Sequence, residues 1–305
     1  MNLAPIILFV YNRPRYTKQT IDSLSKNSLA KESELFIYSD APKSQKDKKS
    51  VSEVREYLKT INGYKNVVIK ESQINKGLAK SITSGVTEIV ERYGKAIVLE
   101  DDLFLSAFFL KYMNEALRLY ESEKDVISIH GYVYPVKEKL PETFFLRGAD
   151  CWGWATWNRG WSLYQDSAER LLKQIMRGNL EREFDFNESY NYIKMLKQQI
   201  KGEIDSWAIK WYASAFVNEK LTLYPGRSLV KNIGTEGLGT HVQSTKAFDS
   251  DLSEIPIKID KIKISENIEA RKIFEEYFRS IKLNLFNRGL KRVESQIKKI
   301  IYPLR

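Results

Sequence analysis

Cysteine is almost missing from this sequence: Cys151 is the only one in 305 residues. That excludes an internal disulfide, and a lone thiol suits a reducing compartment. Histidine is nearly as scarce, with only His130 and His241, which argues against a metal site built from several imidazoles. No run approaches the roughly 20 apolar residues of a spanning helix. The first residues, Met1-Asn2-Leu3-Ala4-Pro5, carry no basic n-region or cleavage site, so no signal peptide is expected. Convincing repeats and low-complexity tracts are absent as well. A cytoplasmic protein is the expectation, with peripheral attachment at the inner face of the membrane as a variant of it.

Positive charge and apolar residues are not lacking. Lys and Arg number 49 against 39 Asp and Glu, a formal net charge of +10, and 43% of residues are hydrophobic. The apolar share supports a sizeable core, in one large domain or two small ones at roughly 150 residues each. The charge favours anionic partners: nucleotides, phospholipid head groups or nucleic acid.

One stretch organises the rest. Ala96-Ile97-Val98-Leu99 runs directly into Glu100-Asp101-Asp102. The apolar part reads as a strand buried on both faces of a parallel sheet. The acids then fall at its carboxyl end, where open α/β sheets bind ligands. Adjacent carboxylates repel one another unless a cation sits among them. A divalent metal carrying a phosphate ligand meets that need. The plainer alternative is an acidic turn capping a helix that starts near Ser106.

The flanking chain supports the sheet. Pro5 to Tyr11 reads as a first central strand, followed by Asn12-Arg13-Pro14 and a helix bearing Thr17, Thr20, Ile21 and Leu24. Glu34 to Ser39 is a second strand ending at Asp40. A helix carrying Val51, Val54 and Leu58 follows, then a short strand over Val67 to Lys70. A helix from Leu78 to Tyr93 is stopped by Gly94. This βαβαβαβ alternation predicts a parallel, doubly wound sheet. Arg13, Asp40, Asp101 and Asp102 would share one edge of it. Further strands are expected over Val126 to Ile129, ending at a structural His130, and over Phe144 to Leu146 and Leu221 to Tyr224.

Four of six tryptophans crowd into the segment Trp152, Trp154, Trp157 and Trp161. They form either a packing cluster or a platform on which sugar rings stack. Residues 162 to 201 read as a helical, polar covering segment. Asp205 opens a helix containing Trp207; it is either an N-cap or a carboxylate steadied by the helix dipole. Pro225 to His241 is a long loop with four glycines, suited to closing over a ligand. Beyond it, Leu283, Phe286, Leu290, Val293, Ile297 and Ile300 form an apolar stripe among basic residues. That pattern suits an anionic membrane surface, a partner, or packing on the chain's own domain.

Taken together, strand–Arg13, strand–Asp40 and Val98-Leu99-Glu100-Asp101-Asp102-Leu103 resemble nucleotide-sugar glycosyltransferases of the GT-A fold. The closest likeness is to the inverting N-acetylglucosaminyltransferase I type, with its Glu-Asp-Asp motif. Gly153-Trp154, Ile204-Asp205-Ser206-Trp207 and Tyr224-Pro225-Gly226-Arg227-Ser228 through Gly237 add to it, over most of residues 5 to 241. The resemblance implies an α/β, Rossmann-like, mostly parallel sheet flanked by helices, with a helical C-terminal tail. Residues 1–245 would be the GT-A domain, divided into a nucleotide-binding half (1–130) and an acceptor-side half (131–245). Residues 246–305 would be an extension with the basic amphipathic helix.

The resemblance also implies roles. Arg13 and Asp40 would hold the nucleotide, Asp40 through a uracil-type base. Asp101 would lie near the ribose and donor sugar, with Glu100 beside it. Asp102 would ligate Mn2+ or Mg2+, with His241 as a further candidate ligand. Asp205 would be the catalytic base, and Trp152, Trp154 and Trp207 the acceptor-side sugar platform. The implied enzyme is a hexosyl- or N-acetylhexosaminyltransferase that takes a UDP-sugar to a saccharide or lipid-linked saccharide, as in cell-surface polysaccharide synthesis. An anionic membrane surface and a second copy of the chain are candidate partners; nucleic acid is not. Two other classes compete. A sugar-phosphate nucleotidyltransferase needs a glycine-rich phosphate loop after the first strand, where this chain has Asn12-Arg13-Pro14-Arg15. A non-catalytic sugar-binding member would be expected to have lost the acids.

Overall fold

The computed structural model describes residues 3–234 and 246–282. Ten strands are present among them: β1 (Ile6–Val10), β2 (Glu34–Ser39), β3 (Asn66–Glu71), β4 (Lys95–Glu100), β5 (Leu103–Leu105), β6 (Val126–His130), β7 (Thr143–Arg147), β8 (Trp154–Trp157), β9 (Leu221–Pro225) and β10 (Val230–Asn232). Eight form one sheet in the order β3-β2-β1-β4-β8-β6-β9-β7, while β5 and β10 pair separately. The fold is α/β, with a mixed, mostly parallel sheet flanked by helices and a helical C-terminal region.

The strand sequences explain the layering. All five residues of β1 are buried, and they alternate between two cores. Ile6, Leu8 and Val10 face the cluster that includes Ile21 and Leu24 of α1 (Pro14–Ser25) and Val54 and Leu58 of α2 (Lys48–Leu58). Ile7 and Phe9 face Ile82, Val86 and Ile89 of α3 (Leu78–Tyr93). In β4, Ile97 and Leu99 join the first cluster and Ala96 and Val98 the second. A strand apolar on both sides is what helices covering both faces require. Pro14 occupies the first turn of α1, and Gly94 ends α3 at φ +78°, a conformation that costs glycine least.

The chain order creates a switch point. From β1 the chain moves outward through β2 and β3, then returns across α3 to place β4 on the other side of β1. Both β2 and β4 are parallel to β1, and Phe9 is level with Glu100. The carboxyl ends of β1 and β4 therefore flank the crevice that parallel sheets use for ligands.

The sheet departs from a wholly parallel one at β8 and β7. Strand β8 runs antiparallel between β4 and β6, and β7 antiparallel beside β9. The tryptophan-rich segment is thus a central strand, with all four residues of Trp154–Trp157 buried. A third cluster under β7 and β9 takes Leu171 and Ile175 of α4 (Ala168–Arg177), Leu196 of α5 (Tyr192–Ile200), Ile209 and Phe216 of α6 (Trp207–Val217), and Ala270, Phe274 and Phe278 of the helical residues 268–282. The last helix is fixed electrostatically too: Arg271 pairs with Glu266 at 3.0 Å and Glu275 at 3.1 Å. His241, the later part of the glycine-rich loop and the basic amphipathic stretch from Leu283 lie outside the described residues.

Candidate active site

Arg13 follows β1, and Asp101 and Asp102 follow β4. The switch point brings them together. Arg13 donates through Nη1 to Oδ2 of Asp102 at 2.9 Å and through Nη2 to Asp101. The acid turn is held from three further directions. Tyr11 N–H reaches Oδ2 of Asp101 at 3.3 Å, Thr20 Oγ1 donates to the Asp101 carbonyl at 2.9 Å, and Ile233 N–H donates to the Asp102 carbonyl at 2.8 Å. The last contact comes from the chain just after β10, which pairs with β5 so that Asn232 lies level with Leu103.

Three acids share one guanidinium here. Burial and the neighbouring Asp102 push the Glu100 carboxyl up, with Arg13 opposing. Burial also raises Asp101, again against the pull of Arg13. Burial disfavours the charge on Arg13, but Asp101 and Asp102 hold it protonated beyond its ordinary range. The cluster is short of positive charge, and an added cation would relieve it.

Glu100 also borders a cavity of about 450 Å³, a size typical of small-molecule sites. Its wall continues through His130, Tyr132, Asp150, Trp152, Tyr190, Tyr192, Asp205 and Trp207. Asp205 is exposed at the mouth and has no hydrogen-bond partner among the described residues. The N-cap role open to it belongs instead to Ser206, whose hydroxyl accepts from Ile209 N–H at 3.4 Å. Serine caps as well as aspartate does, and the helix begins one residue later than expected. The Asp205 carboxylate is left free.

The remaining expected residues divide. Asp40 stands at the end of β2, but its carboxylate accepts from Ala41, Lys76 and Gly77 N–H groups at 2.9 to 3.1 Å. It is 8% exposed and pins the turn before α3. Among the described residues no hydrogen bond or ion pair joins its carboxylate to Arg13, Asp101 or Asp102. Trp154 is a correction to the platform reading: at 1% exposure it stacks on Trp207, with ring centroids 5.5 Å apart, and packs on Trp161 and Trp211. A central strand gives its side chain no open face. Trp207 is 3% exposed, so Trp152 is the tryptophan that presents surface to the cavity.

Sequence reasoning missed Asp150. Its Oδ2 accepts from Tyr224 OH at 3.0 Å, and burial pushes its carboxyl up to about 6. Its partners lie far away in sequence, and only the β6-β9-β7 arrangement assembles them. An acid immediately before the Cys151-Trp152-Gly153-Trp154 stretch was the available signal.

No family model matches the chain, and no curated protein does. Solved structures are similar at low identity. The mannosyltransferase PcManGT from Pyrobaculum calidifontis, in complex with GDP-Man and Mn2+, matches 43% of this chain and 36% of its own at 12% identity, with a TM-score of 0.34. Residues 1–349 of S. aureus TarS match over 74% of this chain and 59% of that one, at 14% identity and a TM-score of 0.40. The 4-diphosphocytidyl-2C-methyl-D-erythritol synthase from Anaerococcus prevotii matches over 56% and 76%, at 13% identity and 0.33. The chain thus spans under two thirds of the first two proteins.

Proposed function

We propose that the chain is a metal-dependent, inverting glycosyltransferase that uses a nucleotide-sugar donor, a UDP-sugar in our reading, and a saccharide acceptor. The observation that carries this reading is the convergence of Arg13 with Asp101 and Asp102 at the sheet's switch point, beside a cavity that Glu100 and Asp205 both border. A nucleoside diphosphate suits the switch point, and a sugar suits an aromatic-walled cavity.

The residues present fit a divalent ion held mainly by its substrate. Among the described residues no three His, Cys, Asp or Glu side chains form a ready cage. The acids nevertheless exceed the single guanidinium, and Mg2+-type sites need only one or two carboxylates plus phosphate oxygens. Asp102, partly open beside Arg13, is the proposed ligand. When bound, the ion would neutralise charge on the diphosphate leaving group.

The chain's own residues supply the rest. Arg13 orients Asp102 and adds positive charge beside the phosphates. Asp205 takes the proton of the acceptor hydroxyl as its oxygen attacks the anomeric carbon. The bond from that carbon to the diphosphate breaks, and the nucleoside diphosphate leaves with the electron pair. Attack from the face opposite the leaving group inverts the anomeric centre. Trp207 and Trp152 help exclude water. Isothermal titration with a panel of nucleotide sugars and Mn2+ tests the reading: at least one UDP-sugar should bind only with metal present. Failure of every nucleotide sugar to bind would refute it.

A further inference from the structure

We infer that the inner end of the aromatic cavity is a hexopyranose subsite in which Asp150 accepts hydroxyls of the sugar being transferred, with Tyr224 and His130 positioning its carboxylate. The assignment of that sugar to the donor rests on the function proposed above; the subsite itself does not.

Asp150 lies between β7 and β8, on the cavity wall. Its side chain is 26% exposed, so it remains reachable from the cavity. Tyr224 OH donates to Oδ2 and Tyr134 also hydrogen-bonds the carboxylate, whose two oxygens still have lone pairs for a ligand hydroxyl. Behind it sits His130, 1% exposed. The Nε2 atom of His130 accepts from Trp152 N–H at 3.2 Å, which places its proton on Nδ1. That Nδ1–H is buried without a partner among the described residues and lies 4.0 Å from Oδ2 of Asp150. A buried, unpaired donor is costly. The Asp150 carboxylate is close enough for a bound ligand to draw it nearer.

The surroundings select the ligand class. Trp152 and Tyr132 meet edge to face at 4.8 Å, and Tyr190 and Tyr192 complete the wall. Flat apolar surface stacks on the C–H face of a pyranose, while a carboxylate takes its hydroxyls in charge-assisted hydrogen bonds. Asp205 stands exposed at the mouth, where an acceptor arrives. The enclosed end is therefore left for the sugar already carried on the nucleotide.

Saturation-transfer NMR tests this on the full chain, with Mg2+, uridine diphosphate and free glucose, galactose, mannose, N-acetylglucosamine and N-acetylgalactosamine. At least one sugar should receive saturation, and Asp150→Asn should weaken its binding at least tenfold while the nucleotide signal persists. If the nucleotide gives no signal but a sugar does, the UDP reading fails and the subsite stands. If the nucleotide binds and no sugar does, the subsite is overturned. Unchanged sugar binding in Asp150→Asn overturns it as well. Should that variant melt at a much lower temperature, Tyr224→Phe decides: sugar affinity should fall severalfold with nucleotide binding intact, and an unchanged affinity refutes the positioning.

Discussion

Nη1 of Arg13 lies 2.9 Å from Oδ2 of Asp102, although 89 residues separate them. The same guanidinium holds Asp101, so one planar group locks the ends of β1 and β4 together. Lysine keeps the charge but lacks the fork that addresses two carboxylates at once. Arg13→Lys should therefore fold, melt a few degrees lower, and bind UDP with Mn2+ about tenfold more weakly, or about 1.4 kcal/mol. Calorimetry checks both quantities. Unchanged affinity would mean the fork contributes only to the fold.

Asp102→Asn isolates the proposed metal contact. The amide keeps the side-chain size but gives up its charge and one acceptor oxygen. Mn2+-dependent nucleotide binding should drop by a hundredfold or more, whereas the melting temperature should change little. Titration with and without EDTA separates metal-linked from metal-free affinity. A variant with the parent's affinity and metal dependence would remove Asp102 from the site.

Much of this was legible in the sequence because the parallel half obeys local rules. Glu34–Ser39 and Leu78–Tyr93 fall on the expected bounds, with Gly94 ending the helix. Strand β8 was not legible as a strand. It is buried on both faces between β4 and β6, so Trp154 to Trp157 shows no alternation, and its tryptophans read equally well as a cluster. Trp154 lost its platform role for the same reason. Asp150 was invisible because nothing local marks it; its meaning comes from Tyr224, 74 residues away, and from His130. Asp40 was placed correctly at a strand end, but sequence could not reveal that the amides of Lys76 and Gly77 occupy its oxygens.

Gly234 gives a route to Asp102 that leaves every charge in place. A Cβ at that position would lie 2.3 Å from Oδ2 of Asp102 and 2.9 Å from its Cβ, closer than real contacts allow. Arg13 grips the same oxygen, so the carboxylate cannot swing away without breaking that bond. Gly234→Ala should displace Asp102 and reduce UDP–Mn2+ affinity at least tenfold. The melting curve should remain cooperative. Retained affinity would show that the turn after β10 yields instead of the acid.

Asp150 should cost the protein stability at neutral pH. Its carboxyl is pushed up to about 6 by burial, against an ordinary 3.8. Between those values the unfolded chain gives up its proton before the folded one does. Folding is therefore penalised increasingly as pH rises through that window, and the penalty is complete above about 6. Asparagine can still accept the Tyr224 hydroxyl without carrying charge. Asp150→Asn should thus be more stable than the parent at pH 7.5, by on the order of 1–3 kcal/mol, with the difference shrinking toward zero as pH falls to 4. Urea denaturation across that range measures it. A gap that widens at low pH would contradict the burial of an ionisable group there.

Asp205 is where the chemistry should fail alone. The carboxylate sits at the cavity mouth, free of the cap that Ser206 supplies, with the buried Trp207 two residues further on. Because Ser206 caps α6, Asp205→Asn leaves that hydrogen bond untouched, so a loss cannot be blamed on the helix. The amide matches the carboxylate in size but cannot take a proton. Donor binding should stay within about twofold of the parent. Transfer should fall by roughly 100-fold or more, the scale of losing a positioned base, with kcat bearing the loss and the donor KM little changed. A conservative partner sharpens the reading: Asp205→Glu keeps the proton acceptor but moves it by one methylene, and should recover part of the rate. If Asp205→Asn transfers sugar near the parent rate, the residue is not the base, and the proton must leave through another group on the same wall, for which Glu100 and Asp150 are the carboxyls at hand.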